Sequence, residues 1–315
     1  MVVVSLGVRQ MNDIEKDLLK QVLDTDEELK GAYNIRKNGK GVERKVTENV
    51  NIVTKEDISG IDIFVKENTK FEIVHIPVIV TESGLKDIVY NDFYIGKNAT
   101  VYIVAGCGIH NDSHKHSEHN GIHRFFLEEG SKVTYVEKHY GEGSGEGKKI
   151  LNPVTEVTLK SGATMKMETT QIKGVDSTDR ITKATLADDT NLIINEKLLT
   201  HGTQFAKSYF ELTLDGENSS AQLTSRAVAT ESSKQEFISK VYGNNKCFSH
   251  VECDAIIKDN AKVTSVPEIT ASSVDANLVH EAAIGKIAGE QVIKLMTLGL
   301  SEKEAEDEII NGFLR

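Results

Sequence analysis

One local pattern recurs along most of this 315-residue chain and limits what it can fold into. From about Glu72 to Ala276, runs of nine to eleven residues rich in Val, Ile and Thr alternate along their length, and each begins within two residues of a small or polar position. Examples are KVTYVEKHY after Ser131, ATMKMETTQI after Gly162, NLIINEKLL after Asp189, AQLTSRAVA after Ser219, CFSHVECDAII after Lys246 and AKVTSVPEI after Asn260. Alternation of period two sends successive side chains to opposite faces of a strand, and the small polar residues mark where the chain turns. Helical periodicity nearly vanishes here. A corner followed by a strand, repeated at irregular spacing, fits a coiled stack in which each turn buries its inward row against the next. It fits a β-sandwich equally well, and the pattern alone does not separate the two.

The ends read differently. Ile14, Leu18, Leu19, Val22 and Leu23 share one helical face, and Asn12 with Glu15 forms a capping-box pattern, so a helix of about three turns opens the chain. Residues 31–48, with Gly31, Asn38, Gly39, Gly41 and several Lys and Arg, read as an exposed turn and a solvated basic stretch. Near the C-terminus, Ile284, Ile287, Ala288, Gln291 and Leu295 mark one helical stripe, and Gly299 ends it. Ser301 with Glu304 then caps a second helix through Ile309 and Ile310. The expected division is an N-terminal helical and mixed segment over 1–70, a β core over 71–278 and a helical hairpin over 279–315.

Composition excludes several functions. Lys and Arg number 37 against 48 Asp and Glu, a net charge of -11 that repels phosphate backbones and anionic lipid, so nucleic acid is not an expected partner. The longest apolar candidate for a membrane span, Ile73–Val80, is far too short and contains His75 and Pro77. The opening MVVVSLGV lacks the basic start and apolar length of a secretion signal, which points to the cytoplasm. With Cys107, Cys247 and Cys253 as the only thiols and no C-x-x-C pair, neither a disulfide framework nor a zinc knuckle is expected.

Three segments draw chemical attention. GEGSGEGKK at 141–149 resembles a phosphate cradle, but it lacks the Walker glycine spacing and the Ser or Thr after Lys, and two glutamates would repel a phosphate. It reads as a flexible connection, so no nucleotide is expected to bind this chain directly. GCGIHNDSHKHSEHNGIH at 106–123 places Cys107, His110, His114, His116, His119 and His123 together, with Asn120–Gly121 reading as a turn. Imidazoles at this density suit solvated or structural roles, transition-metal binding or acid-base chemistry. Cys107, between two glycines, sits where another backbone can approach closely. In the segment from His250 to Ile287, alternation puts Cys253 with Val251, Ala255 and Ile257, as for a buried small hydrophobe. His280 and Glu281 are equally suited to the start of the following helix. The same three side chains are also ligand types for iron or zinc.

Residues 100–315, and most of all those after His250, resemble the SufB/SufD family of iron-sulfur assembly scaffolds. Cys253–Asp254 opens an apolar strand as in SufB, and Val279, His280, Glu281 and Ala282 stand where SufB has Glu-His-Glu-Ala. Gly299–Leu300 and the closing Gly312–Phe313 also match. SufD generally replaces the Glu, so the motif leans towards SufB. The resemblance favours a right-handed parallel β-helix body and implies that Cys253, His280 and Glu281 bind sulfur, iron or a nascent cluster. It further implies that the C-terminal hairpin, through Ile284, Ile287, Leu295, Ile309 and Phe313, holds a SufC-like ABC ATPase as a separate subunit, with a sulfur donor and iron-sulfur recipient proteins as further partners. One copy supplies too few ligands for a cluster that commonly takes four. A homodimer that pools two sets is therefore expected. The alternatives are a metal-dependent β-helical enzyme centred on the His110–His123 cluster and a SufD-like structural subunit without a cluster.

Overall fold

The computed structural model describes residues 11–24 and 29–314; the opening Met1–Val8 stretch lies outside them. The chain winds into a β-solenoid of about eight turns, with a helix at the start and two at the end. Two ten-stranded sheets face each other, and each coil of chain contributes to both. Within the body, neighbouring strands are parallel, and among the described residues antiparallel pairs occur only at the N-terminal end, where Ala32–Lys37 pairs with Lys40–Lys45 and Val50–Thr54 with Gly60–Val65.

The irregular repeat has a simple origin. Coil-to-coil hydrogen bonds span 32 residues in the first half of the body, as between His110 and Glu142 or Arg124 and Asp92. The span falls to 27–29 residues later. One corner recurs in six successive coils. Asn68, Asn98, Gly130, Gly162, Asp189 and Asn218 all adopt positive φ of 56–71°. The backbone N–H of each donates to a carbonyl in the next coil. Asn, Asp and Gly tolerate this left-handed conformation better than other residues, which explains the polar corners in the sequence. The next residue is often a hydroxyl that turns back: Thr69, Ser131, Thr190 and Ser219 each donate to the carbonyl three residues earlier.

Between the sheets, one inward row runs Ile63, Phe93, Phe125, Val157, Ala184, Leu212, Val241 in register across seven strands. Phe93 and Phe125 stack at 4.3 Å. Burying each large apolar side chain contributes roughly 1.5–3 kcal/mol, repeated coil after coil. A sandwich would need antiparallel pairs where these parallel ones stand.

Helix α1, Asp13–Leu23, carries the expected Asn12/Glu15 capping box and lies on the outer face of the first sheet. Three expectations are corrected. Ala32–Lys37 is a largely buried strand, paired in parallel with Glu72–Val80, because Ala32 and Ile35 face core residues; the basic residues of 40–45 do stay exposed. Strands thus begin well before Glu72. Asn120–Gly121 is no turn but the middle of the strand Ser117–Leu127, in register with Ile88 and Val89. The 141–149 segment is a tightly stacked corner, not a free connection: a Cβ at Gly143 or Gly147 would overlap the backbone at Asn111 or Lys115.

The C-terminal stripe also differs. Asn277–Gly285 is the last strand, so Ile284 is not helical and His280 and Glu281 start no helix; Ile287 precedes α2, which spans Gly289–Met296. Parallel register with Ala255 holds Ile284 in the sheet. That strand also crosses the 278/279 division. Helix α3, Glu302–Phe313, has the Ser301/Glu304 capping box. The two helices pack against each other, with Val292 of α2 and Ala305 of α3 buried, and an ion pair of Lys258 with Glu306 ties α3 to the body.

Candidate functional site

Strand parity decides which side chains of the C-terminal segment can meet. Cys253 lies on Cys247–Ile257 and points between the sheets, 1% exposed, in register with Ser225 on one side and Ala282 on the other. His280 pairs with Val251, two positions earlier on the same inward face. Its Nδ1 stands 3.4 Å from Ser239 Oγ of the opposite sheet, and its Nε2 is shielded from solvent yet has no hydrogen-bond partner. Glu281 therefore points outward, in register with Glu252 and 67% exposed. His250 Nε2 approaches it to 3.4 Å without hydrogen-bond geometry. Within one copy, Cys253 and His280 share a face and Glu281 does not.

Burial pushes the Cys253 thiol up to about 11, partly countered by the Ser265 hydroxyl across the interior. Burial, then the nearby His250, lowers His280, which keeps the imidazole neutral and able to act as a ligand. Beyond Cys253 the interior is polar, which sequence reasoning missed. A buried row runs Glu137, Thr169, Glu196, Ser225, Cys253 through successive coils. Glu196 accepts hydrogen bonds from Ser208 at 2.6 Å and Ser225 at 2.7 Å. Arg180, from the other sheet, pairs with Glu137 and approaches Glu196 to 3.9 Å. Burial would raise the Glu137 carboxyl, but Arg180 and His139 outweigh it and hold it well below the usual range. The available signal was parity: Glu137 falls on the inward positions of KVTYVEKHY, with Val133 and Tyr135.

The histidine-rich segment does not form one cluster. His110 is clamped between Asp112 at 2.8 Å and Glu142 at 3.0 Å, and His114 is an exposed partner of Glu146. His116 accepts from the Lys148 backbone N–H. Only His119 and His123 point inward, towards Cys107. The glycines around Cys107 serve α1: a Cβ at Gly106 would strike the Lys138 carbonyl and Val22, and one at Gly108 would crowd Leu18. The closely approaching segment is thus the chain's own helix. No group of three or more His, Cys, Asp or Glu side chains among the described residues is arranged to hold a metal ion as it stands.

Among the described residues, both sheets end without a covering coil at the C-terminal side, on Lys262–Ala271 and Asn277–Gly285. There Val266, Ile269 and Ile284 are all more than a third exposed. Of the expected partner residues, Leu295, Ile309 and Phe313 are half-buried in α2 and α3, while Ile293, Met296 and Leu298, not foreseen from sequence, are the exposed apolar residues there.

The family model for the SUF system FeS cluster assembly SufBD core domain matches residues 109–264 and 243–313. The chain belongs to the SufBD family. It is 26% identical over 306 residues to an iron-sulfur cluster assembly SufBD family protein of Methanocaldococcus jannaschii, covering 95% of this chain and 96% of that one. A SufBD family protein of Pyrococcus horikoshii is 28% identical over 258 residues, 80% of this chain and 77% of its own. SufB of Bacillus subtilis is 31% identical over 101 residues, 31% of this chain and 22% of that protein. The SufBD core match runs through Cys253, His280 and Glu281 and on through both C-terminal helices. Iron-sulfur assembly is the family's work, and no helix among the described residues is long and apolar enough to cross a membrane.

Proposed function

We propose that this SufBD protein is a scaffold on which a nascent iron-sulfur cluster is assembled between two copies of the chain, driven by a SufC-like ATPase held by α2 and α3. The observation that carries the reading is the bare last coil, where His280 presents an unpaired inward imidazole nitrogen close to Cys253 while Ile269 and Ile284 are left exposed. A solenoid end normally needs a cap, and a second identical end supplies one. The opposite end differs: its edge strand Lys40–Lys45 carries Lys40, Arg44 and Lys45, a charged edge that resists pairing.

One copy offers a thiol and an imidazole inward and a carboxylate outward, and a two-fold brings a second set to the junction. Mixed sulfur, nitrogen and oxygen donors hold a cluster less firmly than four thiolates, which suits cargo that must leave. Cys253 gives up its proton on binding and either ligates iron or attacks the outer sulfur of a donor persulfide, whose own thiolate leaves; His280 and Glu281 complete the iron shell. The ATPase cycle acts on the junction through the hairpin, and a sulfur donor and recipient proteins complete the exchange.

Anaerobic reconstitution of the chain with a SufC-type ATPase, iron and sulfide, followed by absorption and Mössbauer spectroscopy, tests this. Wild type should acquire a labile cluster as a dimer, and Cys253→Ser and His280→Ala should not. A normal cluster in Cys253→Ser removes that thiol from the mechanism. ATPase binding without any cluster would instead make the chain a structural subunit.

A further inference from the structure

His119 and His123 flank Gly121 on one strand, all three facing inward, and the Nε2 atoms of the two rings converge over the glycine. A Cβ built on Gly121 would lie 2.9 Å from His123 Nε2 and 3.6 Å from His119 Nε2. The other nitrogen of each ring is already committed. His119 Nδ1 lies 3.0 Å from Asp87 Oδ2, a carboxylate gripped by Arg36 through two hydrogen bonds of 3.0 and 2.7 Å. His123 Nδ1 lies 2.7 Å from Tyr135 Oη, whose hydroxyl proton goes to Glu137.

These partners fix the tautomers. An ionised carboxylate only accepts, so Tyr135 donates to Glu137 and must accept from His123 Nδ1–H, leaving a lone pair on His123 Nε2. Asp87 likewise accepts from Nδ1 of His119, and the tautomer this contact selects turns a second lone pair inward. His123 Nε2 has one weak neighbour, the Asn91 amide at 3.4 Å. Two buried acceptors thus face one chamber of about 10 Å³, and the thiol of Cys107 and the side chains of Glu137 and His139 also line it. A carboxylate or hydroxyl behind each imidazole is the outer-shell pattern that orients metal-binding histidines. Gly121 supplies the space that any side chain would fill.

We propose that this chamber binds one borderline divalent ion, of the Zn²⁺ or Fe²⁺ class, through His119 Nε2 and His123 Nε2 with the Cys107 sulfur as third donor. Two imidazoles and a thiolate select such ions over Mg²⁺ or Ca²⁺. The chamber admits one atom-sized guest and nothing larger. In the chain as it stands the donors do not yet close on a point, so binding must bring the Cys107 sulfur and the two Nε2 atoms together and release the thiol proton. The site is separate from Cys253 and does not depend on cluster assembly.

The test is a Co²⁺ titration of the full-length, chelator-stripped chain under anaerobic reducing conditions, including a sample refolded with the ion present so that slow entry is not read as refusal. Wild type should bind one ion per chain with a sulfur-to-cobalt absorption band. Affinity should fall at least about 100-fold in His119→Gln, His123→Gln and Gly121→Ala, the last removing space and no ligand. His114→Gln and His116→Gln should bind as wild type. On the wild-type chain alone, Zn²⁺ should shield Cys107 but not Cys247 from alkylation, mapped by peptide mass. Absence of a stoichiometric ion in wild type, binding that survives His123→Gln or is lost in His114→Gln, or Cys107 left unshielded would each overturn the site.

Discussion

Replacing Arg180 with Met should strand the most deeply buried carboxylate of the solenoid. Glu137 and Arg180 are 2% and 4% exposed and pair directly, and Glu196 lies 3.9 Å from the same guanidinium. Breaking one side of such a pair costs about 3–5 kcal/mol, because the remaining charge keeps its desolvation penalty and loses its partner. At about 2 °C per kcal/mol for a chain of this size, the thermal midpoint should fall by roughly 6–10 °C, read by far-ultraviolet circular dichroism. The loss should depend on pH. In wild type the Glu137 carboxyl is held below its unfolded value, so its stabilisation is present above about pH 4.5 and fades only as pH falls through the lower folded value. In Arg180→Met burial raises that carboxyl instead, so it takes up a proton in mild acid and the penalty grows with rising pH. Arg180→Met/Glu137→Gln should recover to within about 2 kcal/mol of wild type, with Glu196 still lacking its cation. A single variant within about 1 kcal/mol of wild type, or a double no better than the single, refutes the reasoning.

Three further outcomes follow from the fold. Gly106→Ala should loosen α1: positive φ alone costs about 1–3 kcal/mol, overlap with Lys138 and Val22 adds to it, and limited proteolysis should then cut within 11–24 while the body resists. Ile269→Lys with Ile284→Lys should give monomers by light scattering that keep the far-ultraviolet circular dichroism of wild type, since both residues are exposed within one copy; dimers that persist would place the junction elsewhere. At His110, burial would lower the imidazole, but Asp112 and Glu142 raise it above 6.5, so its contribution is full in mild acid and lost as pH rises through the raised value. Wild type should therefore lose more stability than His110→Asn between about pH 6 and about pH 8, and parallel curves would contradict the clamp.

Much of this architecture was written in local chemistry. The polar corners anticipated left-handed turns because Gly, Asn and Asp adopt them most readily, and both capping boxes formed as spaced because a cap needs only its own three neighbours. Alternation alone assigned Cys253 to the inward row with Val251 and Ala255. Ile284 and Ile287 misled because three- and four-residue spacing of apolar residues also arises when a strand runs into a helix, and only pairing with Ala255 selects the strand.

What the chain could not declare from its order of residues is which coils stack and in what register. Parallel strands meet partners about thirty residues away, and a shift of one position reverses every side chain between inside and outside. That register put Glu281 outside while His280 stayed inside, sent two of five clustered histidines inward, and drew Glu137, Arg180 and Glu196 from three different strands into one buried network. Local sequence determined the strands, the corners and the caps, because each depends on a few adjacent residues. Stacking decided the chemistry, because a buried charge or an unpaired imidazole is defined by what lies one coil away.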